Sequence, residues 1–227
     1  MSEAAVTMDV DPQAARAQMI QQQLRTWDVL DDEVLQVFAA IDREHFVPAA
    51  YRSLAYADLA VPLGAGEHML QPKVAGRIVQ AVKPGVHDRV LEIGTGSGYL
   101  AAALGKLACS VRSIESRPDQ AETARASLQA AGLRNVQVIT ADAFDDTALG
   151  DLLYDVVVVG GSLPRRESRF EAKVALGGRL FAVIGDGPVM SATLLERTGE
   201  SEWRETVLFE TLLKPLHGVT TPSKFHF

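Results

Sequence analysis

The sequence predicts an α/β fold with a doubly wound, mainly parallel sheet and an N-terminal helical extension. From Asp11 to Tyr56 the apolar residues recur at helical spacing, whereas after Gln71-Pro72 short apolar strands alternate with helical segments. Glycine also stands at every second position after the first of these strands, in VLEIGTGSG. Strands separated by helices of this length specify a parallel sheet.

The N-terminal zone is predicted to hold two helices and a shorter helical piece. These are ARAQMIQQQLRTWDVL, DDEVLQVFAAID and REHFVPAAYRSLAY. Asp31 and Asp32 suit a helix start, and Pro48 breaks the third piece. The residues from Pro62 to Gly66 read as a turn-rich bridge. The aromatic residues of this zone are interpreted as packing of a helical cover: Trp27, Phe46, Tyr51 and Tyr56.

The remaining elements follow in alternation. The predicted helices are VAGRIVQAV, YLAAALGKLA, PDQAETARASLQAAG and a segment from about Arg166 to Ala175; the predicted strands are RVLEIG, SVRSIE, NVQVITAD, YDVVVVGG and RLFAVIG. Two further apolar alternations follow, ATLLERT and RETVLFETLLKPL. The strand WRETVLFE and its neighbour are predicted to add an antiparallel hairpin at one edge, as mixed sheets often have.

The chain is predicted to form one domain in four zones. Residues 1–15 are expected to be a flexible N-terminus, and residues 16–72 the helical cover with an active-site loop. Residues 73–217 form the ligand-binding core, and residues 218–227 a C-terminal tail.

Composition excludes several function classes. Of 227 residues 47% are apolar and 22% are charged, and the formal net charge of −7 argues against binding a phosphate backbone. No run approaches the roughly 18 apolar residues of a membrane span. The N-terminus lacks the plan of a signal peptide, so a cytoplasmic protein is expected. The single cysteine, Cys109, excludes an intramolecular disulfide and a cysteine-based zinc site, and is interpreted as a buried inert thiol.

The glycine ladder consists of Gly94, Gly96 and Gly98. A dinucleotide fingerprint needs G-x-G-x-x-G, and a P-loop needs a lysine and a hydroxyl after its last glycine; Tyr99 and Leu100 follow here instead. The ladder therefore does not match a dinucleotide-binding turn or a P-loop, and both kinds of phosphate site are disfavoured. Alone, the ladder could also be only a tight turn.

Three carboxylates stand at the ends of three successive predicted strands: Glu92, Glu115 and Asp142. In doubly wound folds such strand ends meet at one crevice, where an acidic residue binds ribose hydroxyls. Asp142 could accept a hydrogen bond from an adenine amino group. Each carboxylate could instead cap a helix. Together with the ladder they favour an adenosine ligand that carries a positive charge and no phosphate, S-adenosylmethionine (SAM), over NAD.

EIGTGSGY followed by SIE and TAD resembles the class I SAM-dependent methyltransferases, which have a Rossmann-like sheet. QMIQQQL, REHFVP, AYADLAVPLG and QP, in that order, resemble the protein-L-isoaspartate O-methyltransferase family over about residues 16 to 215. The resemblance implies that isoaspartyl-containing peptides or proteins are methylated, in protein repair. It also implies a cofactor-binding set: Glu92, Gly94, Gly96 and Gly98 for the methionyl part, Glu115 for the ribose, Asp142 and Ala143 for the adenine, and in addition Gln71, Thr95, Ser97, Ser116 and Gly160.

One segment departs from the family pattern. Before Gln-Pro the family has threonine, an apolar residue and an active-centre serine, whereas GEHMLQP has His68 and Leu70 at the two hydroxyl positions. Both are therefore assigned to the catalytic segment. Leu70 cannot donate a hydrogen bond to a carboxylate, which predicts weak or absent isoaspartyl methylation with intact SAM binding. His68 either replaces the lost donor or acts as a base, or it is a loop histidine without chemistry.

Two alternatives remain open at this point. The chain could methylate another carboxylate or a small molecule, or bind SAM as a non-catalytic regulatory protein. Nucleic-acid methylation is disfavoured, because VVVVGGSLP lacks the Asn/Asp-Pro-Pro-aromatic signature of that chemistry. No metal site is predicted.

Overall fold

The computed structural model describes residues 11–145 and 147–219, and it confirms the predicted fold class. The α-helices are α1 (Pro12–Met19), α2 (Asp32–Ala40), α3 (Pro72–Val82), α4 (Tyr99–Leu107), α5 (Pro118–Ala130) and α6 (Ser168–Glu171). The N-terminal zone also holds a π-helical turn (Ile20–Leu24) and the 3₁₀ helices Arg25–Trp27, Arg43–Phe46 and Ala49–Leu54. The strands are β1 (Val61–Gly64), β2 (Glu67–Met69), β3 (Arg89–Ile93), β4 (Ser110–Glu115), β5 (Val136–Thr140), β6 (Tyr154–Leu163), β7 (Val174–Ile184), β8 (Met190–Arg197) and β9 (Trp203–Thr211).

Seven strands form one sheet in the order β5-β4-β3-β6-β7-β8-β9. The first five strands of that order run parallel to one another. β8 pairs antiparallel with β7, and β9 pairs antiparallel with β8, so the predicted edge hairpin is confirmed. The chain moves outward from β3 to β5 and then returns to the other side of β3 as β6. This reversal creates a switch point at the carboxyl ends of β3 and β6, where open α/β sheets bind ligands.

Alternate residues of the central strands enter two separate hydrophobic cores. Val156 and Val158 pack in the core that includes α3, α4, α5 and the N-terminal helices, whereas Val157 and Val159 pack in a second core with Phe170 of α6. A strand buried on both faces reads as a continuous apolar run, which explains the sequence VVVV in β6.

The N-terminal cover begins with capped helices. The Asp11 side chain accepts from the amide of Gln13, and the Asp31 side chain accepts from Glu33 at 3.0 Å, so each aspartate caps the helix that follows it. Because α1 begins at Pro12, residues 12–15 are helical, unlike the flexible terminus expected there. Residues 1–10 and 220–227 of the expected termini lie outside the described residues.

Three predictions differ from the structure. The expected bridge after Val61 is an antiparallel hairpin, β1–β2. The helix expected from Arg166 to Ala175 spans only four residues, because β7 already begins at Val174. Cys109 is exposed because it follows the end of α4 at the surface, so the prediction of a buried thiol was wrong.

Within residues 11–145 and 147–219, no helix is long and apolar enough to cross a membrane.

Candidate active site

A cavity of about 770 Å³ lies at the carboxyl ends of β3, β4, β5 and β6. Its walls also include the β1–β2 hairpin with the residues that follow it, and residues 211–217. Ten of the residues assigned from the sequence line this cavity: His68, Leu70, Gln71, Gly94, Gly96, Glu115, Ser116, Asp142, Ala143 and Gly160. The topology therefore brings together residues that lie far apart in the sequence.

The glycine loop is held in a left-handed conformation against the neighbouring strand. Gly94 and Gly96 have φ values of 89° and 53°, and the amide of Gly94 donates to the carbonyl of Ile114 at 2.8 Å. A Cβ atom on Gly160 would stand 2.9 Å from the carbonyl oxygen of Gly94. Glycine is thus required for both the turn and the close approach of β3 and β6.

Glu115 at the end of β4 is fixed by two backbone amides. Gly96 donates to Oε2 at 2.9 Å and Arg117 donates to Oε1 at 3.0 Å, and the side chain is nearly buried. A carboxylate has about four acceptor positions, so further ones remain for hydroxyl groups in the cavity. This geometry suits the predicted binding of a ribose.

Asp142 and Ala143 follow β5 at the adjoining wall. Asp142 Oδ1 accepts from the amide of Phe144 at 2.9 Å, and Oδ2 lies 3.8 Å from Nδ1 of His217. Ala143 is buried. The wall combines a carboxylate acceptor with an apolar surface, which suits an aromatic ring that carries an amino group.

Glu92 occupies a different position from the one expected. It is fully buried, does not belong to the cavity lining and accepts a hydrogen bond from the hydroxyl of Ser113. Ser113 is in turn 2.5 Å from the hydroxyl of Thr95. Burial raises the pKa of Glu92 to about 8, so the group is mainly neutral at pH 7. The structure therefore supports Glu92 as a brace beneath the glycine loop and gives it no direct contact with the cavity.

Ser97 and Gly98 serve the start of α4. The Ser97 hydroxyl accepts from the amide of Tyr99 at 3.3 Å. Gly98 has a φ of 83°, and a Cβ atom there would stand 3.3 Å from the Cβ of Ala124 in α5. Ser97 and Thr95 line a second, adjoining cavity of about 50 Å³, whereas Gly98 lines neither cavity.

The segment that departs from the family pattern lies directly beside the glycine loop. His68 and Leu70 line both cavities, as do the three glycines Gly94, Gly96 and Gly160. His68 is exposed. Gln71 stands at the N-cap of α3, but its side chain makes no capping hydrogen bond to the residues that the structure describes, so its amide is available to the cavity.

Gln120 was not assigned from the sequence. It lines the cavity from α5 and is buried, yet its Nε2 atom has no hydrogen-bond partner in the described part of the chain. A buried donor without a partner is costly, which points to a partner supplied by a bound molecule. A glutamine within a helical pattern carries no signal that would have identified it.

A C-terminal segment, residues 212–217, also was not assigned. Ser162 at the end of β6 donates from its amide to the carbonyl of Lys214 at 2.9 Å, and its carbonyl accepts from the amide of Leu216 at 3.0 Å. This pairing brings Leu216 to the glycine loop, where a Cβ atom on Gly94 would stand 3.4 Å from Leu216 Cδ1. Lys214 also forms an ion pair with Glu67 of β2.

Comparison with known proteins gives consistent results. The profile of the family described as protein-L-isoaspartate(D-aspartate) O-methyltransferase matches residues 14–219. The protein-L-isoaspartate O-methyltransferase of Koribacter versatilis is 36% identical over 203 residues, covering 89% of this chain and 90% of that protein. The enzyme of that name from Aeropyrum pernix is 33% identical over 214 residues, covering 92% and 82%.

A solved structure shares the fold. It is that of a Plasmodium falciparum protein assigned as a protein-L-isoaspartate O-methyltransferase, in complex with S-adenosyl-L-homocysteine (SAH). The TM-score is 0.75 at 17% identity, and the match covers 92% of this chain and 99% of that one.

Proposed function

The chain belongs to the protein-L-isoaspartate(D-aspartate) O-methyltransferase family and is a SAM-dependent O-methyltransferase, and from that premise we propose that it methylates isoaspartyl carboxylates slowly, because Leu70 replaces a hydroxyl. The position of Leu70 in the cavity wall beside Gly94 and Gly96 carries this proposal. The acceptors are isoaspartyl-containing peptides and proteins, and the activity belongs to protein repair, as the resemblance implies. The single cysteine suits the reducing conditions of the cytoplasm.

The residues present fit SAM. The cavity of about 770 Å³ lies within the range of small-molecule sites, about 300–1,000 Å³. Glu115 has acceptor positions for the ribose hydroxyls, and the unpartnered Nε2 of Gln120 can donate to the nucleoside. When bound, SAM supplies a methyl carbon on a sulfonium as the electrophile.

Methyl transfer to a carboxylate needs no base, because the acceptor is already ionised near pH 7. The acceptor oxygen forms a bond to the methyl carbon while the carbon–sulfur bond breaks, the electron pair remains on sulfur, and the two opposite charges cancel. The task of the chain is therefore to hold the carboxylate in line with the methyl group. Leu70 shapes the wall at this point but cannot orient an oxygen by hydrogen bonding.

Labelled SAM, an isoaspartyl peptide and its aspartyl twin test the proposal. A hydrogen bond to a charged group is worth about 1.5–3 kcal/mol, so Leu70→Ser should raise isoaspartyl turnover by about ten- to a hundredfold. Leu70→Ala is the matched control, since it removes bulk without adding a hydroxyl, and it should not reproduce the gain. Wild-type turnover equal to that of a family member with the serine would overturn the proposal.

His68 is tested with the same assay. If it has taken over the donor's role, His68→Ala abolishes the residual activity, whereas a loop histidine without chemistry leaves it unchanged. His68→Thr combined with Leu70→Ser restores both family hydroxyls and should give the highest turnover of the set.

A second candidate function follows from the apolar acceptor wall, which includes Leu63, Leu70, Met190 and Leu212. These side chains favour a carboxylate on a less polar molecule than a peptide. This function would be identified if the wild-type protein methylates small carboxylic acids but does not methylate the isoaspartyl peptide. SAH binding without any accepted carboxylate would identify a non-catalytic, SAM-binding role.

A further inference from the structure

Among the residues that the structure describes, Arg43 is the largest fully buried side chain, with 0% of its surface exposed. A guanidinium keeps its charge under ordinary conditions, and a charge removed from water is costly unless it is paired. Within the described residues no carboxylate forms an ion pair with Arg43. The guanidinium instead contacts backbone carbonyls and an aromatic ring, so these contacts define what the residue does.

The contacts of Arg43 join three parts of the molecule. Nε donates to the carbonyl of Ala55 at 2.8 Å, and Nη2 donates to the carbonyl of Leu70 at 2.7 Å. The guanidinium carbon lies 4.5 Å from the centroid of the Tyr99 ring, a cation–π contact. Ala55 belongs to the N-terminal cover, Leu70 to the acceptor wall, and Tyr99 begins α4 directly after the glycine loop.

Arg43 holds the peptide group between Leu70 and Gln71, which lies in the acceptor wall of the proposed reaction. The Leu70 carbonyl precedes Gln71, the N-cap of α3, so fixing this oxygen fixes both the side chain at position 70 and the amide of Gln71. Tyr99 is packed between Phe38 and Phe46 of the cover and is buried, so it gives the guanidinium a rigid reference next to the cofactor loop.

We propose that Arg43 is a positioning residue for the transfer reaction, setting the Leu70–Gln71 backbone in register with the glycine loop so that the acceptor carboxylate meets the methyl group in line. This inference rests on the proposed function. Arg43 lines neither cavity, so it acts through the carbonyl of Leu70 and the ring of Tyr99.

Arg43→Lys is the main test, because lysine keeps the charge but its ammonium cannot span both carbonyls in the geometry of a guanidinium. The matched control is Arg16→Lys, the same change in the same cover at a residue that donates to Ala39 and lies outside the cavity lining. Turnover of an isoaspartyl peptide, SAH affinity and thermal unfolding are measured for both variants, at temperatures equally far below each unfolding midpoint.

The expected result is a kcat at least about tenfold lower in Arg43→Lys with SAH affinity within about twofold of wild type. Arg16→Lys should retain the wild-type kcat even if it unfolds at a lower temperature. Arg43→Met, which keeps much of the volume without any donor, should lower kcat further. Wild-type kcat in folded Arg43→Lys and Arg43→Met would overturn the inference, as would equal losses of kcat in the Arg16 control.

Hydrogen exchange separates this inference from the proposed function. In the SAH complex, amides of residues 67–71 should exchange faster in Arg43→Lys than in wild type and Arg16→Lys. If the wild type methylates no carboxylate, the proposed function fails, but the exchange pattern still tests whether Arg43 positions this segment. Selectively faster exchange at residues 67–71 in Arg43→Lys supports the positioning role, and unchanged exchange there overturns it.

Discussion

At the scale of single residues, Glu92 and Ser113 form a polar pair beneath the glycine loop, sealed from the solvent. Desolvation is the main cause of the raised pKa of Glu92; the hydrogen bond from Ser113 lowers it, and the charge of Glu115 raises it further. Sequence reasoning could place Glu92 at the end of β3. It could not predict on which side of the strand the carboxyl lies, because that depends on the packing of β4.

The raised pKa of Glu92 predicts a pH dependence of stability. The folded state holds the proton up to about pH 8, whereas the unfolded state releases it near pH 4.5, so this contribution to stability is complete below about pH 4.5 and is lost as pH rises to about 8. Glu92→Gln keeps an acceptor for Ser113 without the titration. We expect the variant to be more stable than wild type above pH 8 and to show a flatter profile of unfolding temperature against pH.

The exposed Glu122 provides the control for that experiment. Glu122→Gln removes the same type of carboxylate from the surface of α5 and should keep the wild-type profile. A Glu92→Gln profile that parallels the wild type across the whole window would show that Glu92 does not titrate as argued.

Gln120 leads to a second prediction at this scale. Gln120→Leu removes a buried donor without a partner, so ligand-free protein should unfold at a higher temperature. The same change removes a hydrogen bond to the nucleoside, worth about 0.5–1.5 kcal/mol, so SAH should bind about two- to tenfold more weakly by calorimetry. Gln129→Leu on the exposed face of α5 is the control. Unchanged SAH affinity in Gln120→Leu would mean that the amide does not face the ligand.

At the scale of elements, the helices and parallel strands of the core could be predicted because each is long and periodic. The β1–β2 hairpin could not. Pro62, Gly64 and Gly66 belong to residue types that favour turns, and β1 and β2 have only four and three residues. What makes them strands is the pairing of Val61 with Met69, both buried, which depends on packing against the rest of the fold.

The C-terminal segment illustrates the same limit. The sequence predicts a strand at WRETVLFE, and β9 ends close to that bound, at Thr211. Nothing in the residues that follow indicates that the backbone of Lys214 pairs with that of Ser162. This pairing brings the segment over the carboxyl end of β6. It adds a wall to the site that no motif predicted.

The ion pair between Glu67 and Lys214 links the hairpin and the C-terminal segment across the cavity. Because both side chains are substantially exposed, we expect removal of the pair to alter stability by less than about 1 kcal/mol. The double variant Glu67→Gln, Lys214→Met should nevertheless release SAH faster, by about two- to fivefold, because the hairpin and the segment are no longer tied. Stopped-flow displacement measures this rate.

Added salt should reproduce the effect in wild type and have little further effect in the double variant, since the attraction is screened. The pair Arg204–Glu196 between β9 and β8 is the control, because it lies outside the cavity lining. A release rate that does not change in the double variant would show that the ion pair does not restrain the ligand.

At the scale of the whole molecule, the site is assembled from parts that lie far apart in the chain. The β1–β2 hairpin with the residues that follow it, the ends of four central strands and the segment after β9 all line one cavity. A ligand that binds this cavity therefore contacts the N-terminal cover, the core and the C-terminal segment together. Its binding free energy should add to the free energy of unfolding of the entire domain rather than to one local element.

SAH should consequently raise the unfolding temperature as one cooperative transition, whereas NAD should not. At a concentration of about 100 times its Kd, a ligand adds about 2.7 kcal/mol to the free energy of unfolding, which for a domain of this size raises the unfolding temperature by about 5–10 °C.

NAD should not bind, because the glycine ladder has Tyr99 after Gly98 and so lacks the dinucleotide-binding turn. Its pyrophosphate would also meet the carboxylates Glu115 and Asp142. Gly96→Val is the matched variant. Valine is strained at a φ of 53°, and its Cβ would stand 3.5 Å from Leu63 Cδ1 in the cavity wall, so the SAH-induced rise should disappear. Equal rises with SAH in wild type and Gly96→Val would show that the loop is only a turn, and a rise with NAD alone would contradict the cofactor assignment.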